Sequence, residues 1–554
     1  MARYTNLDEV PPHILAKLDR HFTSVGGDTF VIHGLPPEVT GGALARYSRA
    51  PTGIQLTFIN EFLDENGDPS QKKGSELMDR VLNQFGDDSV GQLEGTHVGI
   101  ENISQLATKY IQSLRIGGAP IEQSTRYVVY DKKDDTNRWR YARPQEVIDH
   151  GLLIQYEKAN DRAFEVYSDA VKRLTTYFES QLPQDQFSID VTRDGGRIKA
   201  SHSELVDDNE RKAFRIAYNF TIRCAALDVG RCVLPSSTLP HFGVEGNGQF
   251  YTKVITTLKS NELSELRNRG YDLERELKKV IPTFIKRNKV NERKIAVDSA
   301  MYALTQELFT EITPRADPVS LVKRSSPLDE TIAAALFPYA TISLPQILDG
   351  VEKLSLERKS EICTLYRGNR ADRRDRTGRG AEAGYPFTFD LVGTFAEYRD
   401  LMRHRMLTQQ RQLLTTELGF VVPPEMIEVG LESNVNEVVT LMGELHETMK
   451  NADLATASQY ATLFNHRIRF MMGMNLRELQ HLCELRTQPA GHFGYRAMTQ
   501  EIARAAIERE PWVETFLGFV DYSDPGNKIS RAKEQSRIAG KNLATGITDG
   551  DMDF

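Results

Sequence analysis

The chain has 554 residues, 40 % of them apolar and 26 % charged, which suffices for several packed cores and excludes a wholly disordered protein. Its 69 basic and 77 acidic residues leave a net charge of −8, so the surface as a whole is not built to coat nucleic acid or an anionic membrane. Any anion must be held by a local site.

At roughly 150 residues per domain, the length allows three or four ordinary domains or two large ones. The N-terminus, MARYTNLDEVPPHILAKLDRHF, carries charges throughout and lacks the apolar core of a signal peptide, and no run of about 18 apolar residues follows it. The chain reads as soluble and cytoplasmic. Cys224, Cys232, Cys363 and Cys483 form no CxxC pair, so neither a disulfide framework nor a thiolate-bound zinc is expected, and no metal centre is assigned.

Along the chain, short strand-like runs stand at 28–32 (DTFVI) and 126–130 (RYVVY). Residues 131–146 and 179–210, rich in Asp, Lys, Arg, Gly and Pro, read as surface connections. Between them Tyr156, Ala163, Phe164, Tyr167, Ala170, Val171, Leu174 and Phe178 recur at helical spacing, predicting a helix over 152–178. Further helical patterns cover 262–286, 434–449 and 497–508, the second opening on Asn434 as N-cap with Glu437 following. Residues 385–391 (YPFTFDL) read as a strand, 367–379 as an arginine-rich loop, and 521–554 as a mostly disordered tail. The fold class is mixed α/β (α+β), helix-rich with small antiparallel sheets.

The P-loop, the GxSxG elbow and the HExxH helix are all missing from the sequence. What stands out is Arg403, His404 and Arg405 in succession. Three such neighbours repel unless an anion or carboxylates sit among them, so they suit a phosphate-like partner, although a solvated basic surface explains the run as well. Farther on, NLRELQHLCELR (475–486) reads as one helix with Arg477 and His481 one turn apart and Leu479, Leu482 and Leu485 on the buried side. In the first half, IEQSTRYVVY sets Glu122, Ser124 and Arg126 at alternate positions, which an extended segment aims to one side. An acceptor, a hydroxyl and a guanidinium suit a sugar phosphate, and plain strand alternation accounts for the spacing equally.

RHRxxT (403–408) followed by NxRxLxHxxxLR (475–486) resembles the flavin-dependent thymidylate synthases, which carry RHRxxSxNxxSxR and a downstream Asn/Arg/His/Arg helix. In the first half LRIGGAPIEQSTRYV is similar to the same signature with one residue inserted. Arg115 then falls on the third residue of RHR, and Glu122, Ser124 and Arg126 fall on E-x-S-x-R. GRCVLP (230–235) is similar to the family's R-x-x-L-P and puts Arg231 on a substrate arginine. GNGQF (246–250) keeps Asn247 but has Gln249 where the second half has Arg477.

The resemblance implies two tandem diverged copies of the family fold, 1–312 and 313–520. The departures are complementary. The first copy has Ser113 and Leu114 in place of Arg and His, and the second has Arg411, Leu413 and Thr415 in place of Glu, Ser and Arg, with Gln459 near the R-x-x-L-P arginine.

The implied chemistry is reductive methylation of dUMP to dTMP with methylenetetrahydrofolate, NADPH and FAD. Arg403, His404, Arg405, Asn475, Arg477 and His481 are implied to hold FAD, and Glu122, Ser124, Arg126, Arg231 and Arg486 the nucleotide, with Arg486 polarising the uracil as catalytic residue. Thr408 keeps a hydroxyl without an assigned role. The implied assembly is a homodimer of pseudo-tetrameric symmetry, with neither a membrane nor a nucleic-acid partner. A same-fold enzyme methylating or hydroxymethylating another pyrimidine nucleotide, and a catalytically silent flavin or nucleotide-binding scaffold, remain as alternatives.

Overall fold

Nine strands order the chain in this computed structural model, which describes residues 4–80, 88–193, 196–286, 288–371, 375 and 377–545. They are β1 (Gly95–Ile100), β2 (Gly118–Glu122), β3 (Ser188–Arg193), β4 (Gly196–Ser201), β5 (Phe242–Asn247), β6 (Val319–Leu321), β7 (Phe387–Thr394), β8 (Thr408–Arg411) and β9 (Arg467–Met474). The fold is helix-rich, and every pairing in its small sheets is antiparallel. Among the described residues no helix is long and apolar enough to cross a membrane.

Two compact units divide the chain. One comprises residues 1–101, 110–122 and 241–292, and the other 102–109, 123–240 and 293–554. The first holds the sheet β1-β5-β2 and a core that includes Phe22, Phe58 and Phe62. The second holds β6-β7-β9-β8, the β3-β4 hairpin and a core that includes Ile332, Phe337, Ile347 and Met471.

The two sheets repeat one another in register. Glu122 pairs with Phe242 on β5 and Arg411 pairs with Phe470 on β9, so Arg411 stands where the first half has Glu122. β5 runs into Asn247, which accepts from the Phe250 amide as N-cap of Gly248–Lys259; β9 runs up to Asn475, which accepts from the Glu478 amide as N-cap of Leu476–Arg486.

Within the second unit the backbone hydrogen bonds repeat too. Ala142 N donates to Ser237 O at 2.8 Å and Val421 N to Asn465 O at 3.0 Å; Leu239 N donates to Arg140 O at 3.0 Å and Arg467 N to Gly419 O at 2.9 Å. The two repeats meet at a bridge between Pro235 and Leu463, where Ser236 N donates to Thr462 O at 2.8 Å and Phe464 N to Leu234 O at 2.9 Å. Each of those bonds is the image of the other under a local two-fold axis. Pro144 and Pro423 likewise cap equivalent short helices, Gln145–Asp149 and Pro424–Glu428. Gly151 (φ 69°) and Gly430 (φ 74°) take the left-handed turn before the long helices Leu153–Gln181 and Glu432–Asn451.

Those long helices are the ones expected over 152–178 and 434–449, though the second starts earlier and is capped by Leu431 rather than Asn434. Phe493–Arg509 contains 497–508, and β7 contains most of 385–391. The helix expected over 262–286 is split into Ser264–Leu277 and Pro282–Ile285, because Pro282 lacks an amide donor and pushes Ile281 out of the helical region.

Of 28–32, only Ile32 pairs, in a single bridge with Phe22. Residues 126–130 are not a strand. Ser124 Oγ accepts from Arg126 N at 3.2 Å and Ser124 O accepts from Val128 N at 3.0 Å, so the chain turns as soon as β2 ends. Glu122 therefore belongs to the sheet of the first unit, and Ser124 and Arg126 to a turn of the second.

Two connections hold more order than their composition suggests. β3 and β4 form a hairpin inside 179–210, and Ala532–Thr545 is a helix inside the stretch expected to be disordered. Its small residues form the packing face. Ser536 and Ala539 are buried, and Gly540 lies so close to β3 that a Cβ there would stand 2.5 Å from Asp190 O. Replacing Gly540 with Val should cost about 1–3 kcal/mol through this overpacking and undock the helix. Amide exchange across 532–545 should rise while the rest of the chain keeps its protection, and unchanged exchange there would show that the helix is not docked.

Candidate functional site

In the second unit, charged side chains from distant parts of the sequence converge. Arg126, on the turn after Ser124, sends Nε to Asp228 Oδ1 and Nη2 to Asp228 Oδ2, both at 2.7 Å. Asp228 lies in the last turn of the helix Asp208–Gly230, and Arg231 follows in a short 3₁₀ turn, so both are fixed by one helix terminus. Arg231, 2 % exposed, donates Nη1 to Thr125 Oγ1 at 3.2 Å and Nη2 to Asp400 Oδ2 at 3.5 Å. Arg399 Nη1 donates to the same Thr125 hydroxyl at 3.1 Å. Arg231 Nε is buried and meets no hydrogen-bond acceptor among the described residues.

Burial pushes the Asp228 carboxyl up, but the Arg126 guanidinium outweighs it and holds the pKa down at about 2. Asp400 is also buried, yet Arg231, Arg126, Arg403 and Arg399 together hold it well below the usual carboxylate range. Both carboxylates are ionised at neutral pH.

A second chain of contacts joins this cluster to the Arg-His-Arg turn. His404 is buried and shares Nδ1 with Glu478 Oε1 at 2.7 Å, while Arg486 Nε donates to His404 Nε2 at 2.9 Å. The Arg486 guanidinium lies 5.6 Å from the centre of the Tyr495 ring, and Arg126 Nη1 reaches the Tyr495 hydroxyl at 3.5 Å. Beside them, His492 accepts at Nδ1 from Gly494 N at 3.1 Å, which leaves its proton on Nε2, 3.2 Å from Asp228 O. Burial and the nearby Arg231 drive the His492 pKa down to about 3.

The remaining residues singled out from the sequence divide by exposure. Arg403, Arg405, Asn475, Arg477 and His481 are exposed, His481 with its ring 5.3 Å from that of His404. Leu479, Leu482 and Cys483 form the buried side of Leu476–Arg486, whereas Leu485, expected inside, is 49 % exposed. Glu122 is buried in the first unit, where its Oε2 accepts from Gln112 Nε2 at 3.0 Å. Thr408 Oγ1 donates to Glu382 Oε2 at 2.6 Å. In the second half Arg411 Nη1 donates to Gln459 Oε1 at 2.8 Å, joining the two residues that replace the first half's Glu122 and Arg231.

Sequence reasoning missed Asp228, Glu478, His492 and Tyr495. A carboxylate three residues before Arg231 and another next to Arg477 were the available signals. Elsewhere Glu417, His446 and Glu447 offer ligand atoms within 4.8 Å of one another, but the Lys450 ammonium already bonds Glu417 and lies 3.5 Å from Glu447. Of the arginine-rich loop, 372–374 and 376 lie outside the described residues.

Residues 39–283 and 384–512 match the family described as thymidylate synthase complementing protein. The chain is similar, at 32 % identity over 94 % of its length and 97 % of the relative's, to a UPF0159 protein of Chlamydia muridarum. A UPF0159 protein of Chlamydia pneumoniae is 33 % identical over 91 % of this chain and 94 % of its own. Two solved structures show weaker likeness. The UMP/dUMP methylase PolB from Streptomyces cacaoi, bound with 5-Br dUMP, is 16 % identical with a TM-score of 0.26, covering 45 % of this chain and 88 % of its own. The flavin-dependent thymidylate synthase ThyX from Helicobacter pylori, complexed with FAD and dUMP, is 15 % identical with a TM-score of 0.22, covering 44 % and 90 %. At those scores neither structure bears on function here.

The buried ion pair makes a sharp prediction. Asp228→Asn leaves Arg126 charged and uncompensated and should cost about 3–5 kcal/mol in denaturant unfolding, whereas the double change Arg126→Met with Asp228→Leu should cost much less. Equal losses would mean that the pair is not coupled. Acid adds a second test. The unfolded chain protonates His492 near the ordinary 6.5, but the folded chain does so only at about 3, so stability should fall as pH drops through that window. His492→Gln should therefore flatten the decline of Tm between pH 6.5 and 4, and an unaltered slope would contradict a buried neutral imidazole.

Proposed function

The chain belongs to the thymidylate synthase complementing protein family, and on that premise we propose that it is a flavin-dependent enzyme that reductively methylates dUMP, with methylenetetrahydrofolate and NADPH as co-substrates. The observation that carries the reading is the contact of Arg126 and Arg486 with one Tyr495 ring. It joins a first-half arginine of the nucleotide motif to the second-half arginine that would polarise uracil, beside the Arg-His-Arg turn.

The donor chemistry fits both ligands. Arg231 has a buried Nε without an acceptor, which a nucleotide phosphate or carbonyl oxygen would satisfy. Arg231 would be oriented by Thr125 and Asp400, Arg126, held by Asp228, would present Nη1 toward the same ligand, and Ser124 would fix the turn that carries Arg126. On the solvent side Arg403, Arg405, Arg477 and His481 are the donors that a cofactor diphosphate requires, and Asn475 would hold the helix that presents two of them. When bound there, reduced FAD supplies the hydride that completes the methyl group. Arg486 would stabilise charge developing on the pyrimidine, and no protein nucleophile is needed.

Asp400 favours testing a second pyrimidine. An ionised acceptor-only group beside Arg231 can accept from a ring N–H or from an exocyclic amine, so dUMP, UMP and dCMP are to be assayed together.

Arg403→Ala or Arg477→Ala should weaken flavin binding about tenfold or more, the scale of one charge-assisted bond, while Arg231→Ala should raise the nucleotide KM with flavin retained. Loss of flavin on changing Arg231 would mean that the two sides are reversed. A protein that neither binds flavin nor turns over any of the three nucleotides would be the silent scaffold instead.

The Arg411 and Gln459 bond at the second half's equivalent position supports a homodimer with two working sites rather than four. Native mass measurement with flavin counted by absorbance should give two flavins per dimer, and four would refute the division of labour between tandem copies 1–312 and 313–520.

A further inference from the structure

Three adjacent basic residues invite one common job, but His404 differs from its neighbours. It is 4 % exposed, whereas Arg403 and Arg405 face solvent. Both of its ring nitrogens are engaged inside the protein, Nδ1 with Glu478 at 2.7 Å and Nε2 with Arg486 at 2.9 Å.

The partners decide the tautomer. Arg486 Nε can only donate, so His404 Nε2 must present its lone pair; Glu478 can only accept when ionised, so the proton sits on Nδ1. A charged imidazole would set N–H against N–H at Arg486 and break that bond. Burial first, and the Arg486 charge after it, keep the His404 pKa below its ordinary value despite the Glu478 carboxylate, which agrees with a neutral ring.

Glu478 is itself placed by the capped start of Leu476–Arg486, where Asn475 Oδ1 accepts from Glu478 N at 3.1 Å. Arg486, at the other end of the same helix, is then held at two points, its Nε by His404 and its face by Tyr495. A long side chain has many rotamers to lose when it grips a ligand, and anchoring it beforehand removes most of that cost.

We propose that Glu478 and His404 are positioning residues which, through one fixed imidazole tautomer, orient the Arg486 guanidinium for the pyrimidine nucleotide. The proposal rests on the reading of Arg486 as the nucleotide-polarising group. It separates His404 from Arg403 and Arg405, which keep the cofactor role.

The test uses the full-length protein with ¹⁵N-labelled histidine, the His404 signals being identified by their loss in His404→Gln. The wild type should show a neutral ring protonated at Nδ1 at pH 7. Glu478→Leu, which keeps bulk but removes the acceptor, should lose that tautomer and weaken dUMP binding about tenfold. Glu478→Gln, whose amide oxygen can still accept from Nδ1, should keep the tautomer and bind dUMP nearly as the wild type does. A role limited to packing would leave the Leu and Gln variants alike in both readouts, and that result overturns the proposal. A wild-type ring that is charged, or protonated at Nε2, overturns it as well. If the wild type binds no nucleotide, the proposed function fails, and the ring-nitrogen shifts alone then uphold or overturn the positioning of Arg486.

Discussion

Guanidinium groups brought together out of water repel one another, and each loses hydration that only a carboxylate or a ligand can replace. The second unit is organised around that constraint. Arg126, Arg231 and Arg399 come within reach of one another because Asp228 and Asp400 stand between them and Thr125 shares its hydroxyl oxygen between two of them. Each carboxylate is fixed by secondary structure, Asp228 near the end of Asp208–Gly230 and Asp400 in Phe395–Leu401. Such a network contributes little net stability compared with an apolar core of equal volume. What it does fix is a set of guanidinium donors, of which the buried Arg231 N–H at Nε meets no acceptor among the described residues.

The internal repeat explains how residues from opposite halves of the sequence reach one cluster. The bridge at Pro235 and Leu463 joins equivalent segments, so Leu234 and Ser236 lie beside Phe464 and Thr462 in matching bonds. The backbone bonds around the bridge have stayed in duplicate while the side chains have not. Arg231 in the first half corresponds to Gln459 in the second, and Glu122 to Arg411, and the second pair now bonds to itself. An exchange of charge at one position and its loss at the other keeps a closed, satisfied pair where an empty cationic pocket would be costly.

The sequence carried the long periodic helices, the β7 strand and the Asn475-capped helix clearly, because each has its own local signal. Three kinds of feature were not legible in it. The hairpin of β3 and β4 and the helix Ala532–Thr545 were hidden by small and charged residues, since Gly540 matters for the space it leaves against Asp190 rather than for any apolar area. The turn at Ser124 was hidden because alternation of polar residues looks the same whether the chain extends or not, and only the end of β2 pairing decides it. The carboxylates were hidden because a lone Asp or Glu has no pattern. Asp228 and Glu478 acquire meaning only once the fold sets the one beside a guanidinium and the other beside an imidazole.

The motif reading named most of the converging cations and assigned His404 with its two arginine neighbours, since adjacency in sequence suggests a shared ligand. Helical and turn geometry argues otherwise. Side chains at successive positions leave a turn in different directions, so a triplet of basic residues is divided between solvent and interior. Arg403 and Arg405 take the solvent side and His404 the interior, where it meets Glu478 and Arg486 from a helix more than seventy residues away. The Arg-His-Arg turn thus faces two ways, outward with two exposed guanidiniums and inward with a neutral ring that holds Arg486. A change in the turn backbone therefore acts on Arg486 as directly as on Arg403, because a single imidazole joins Arg486 to the turn.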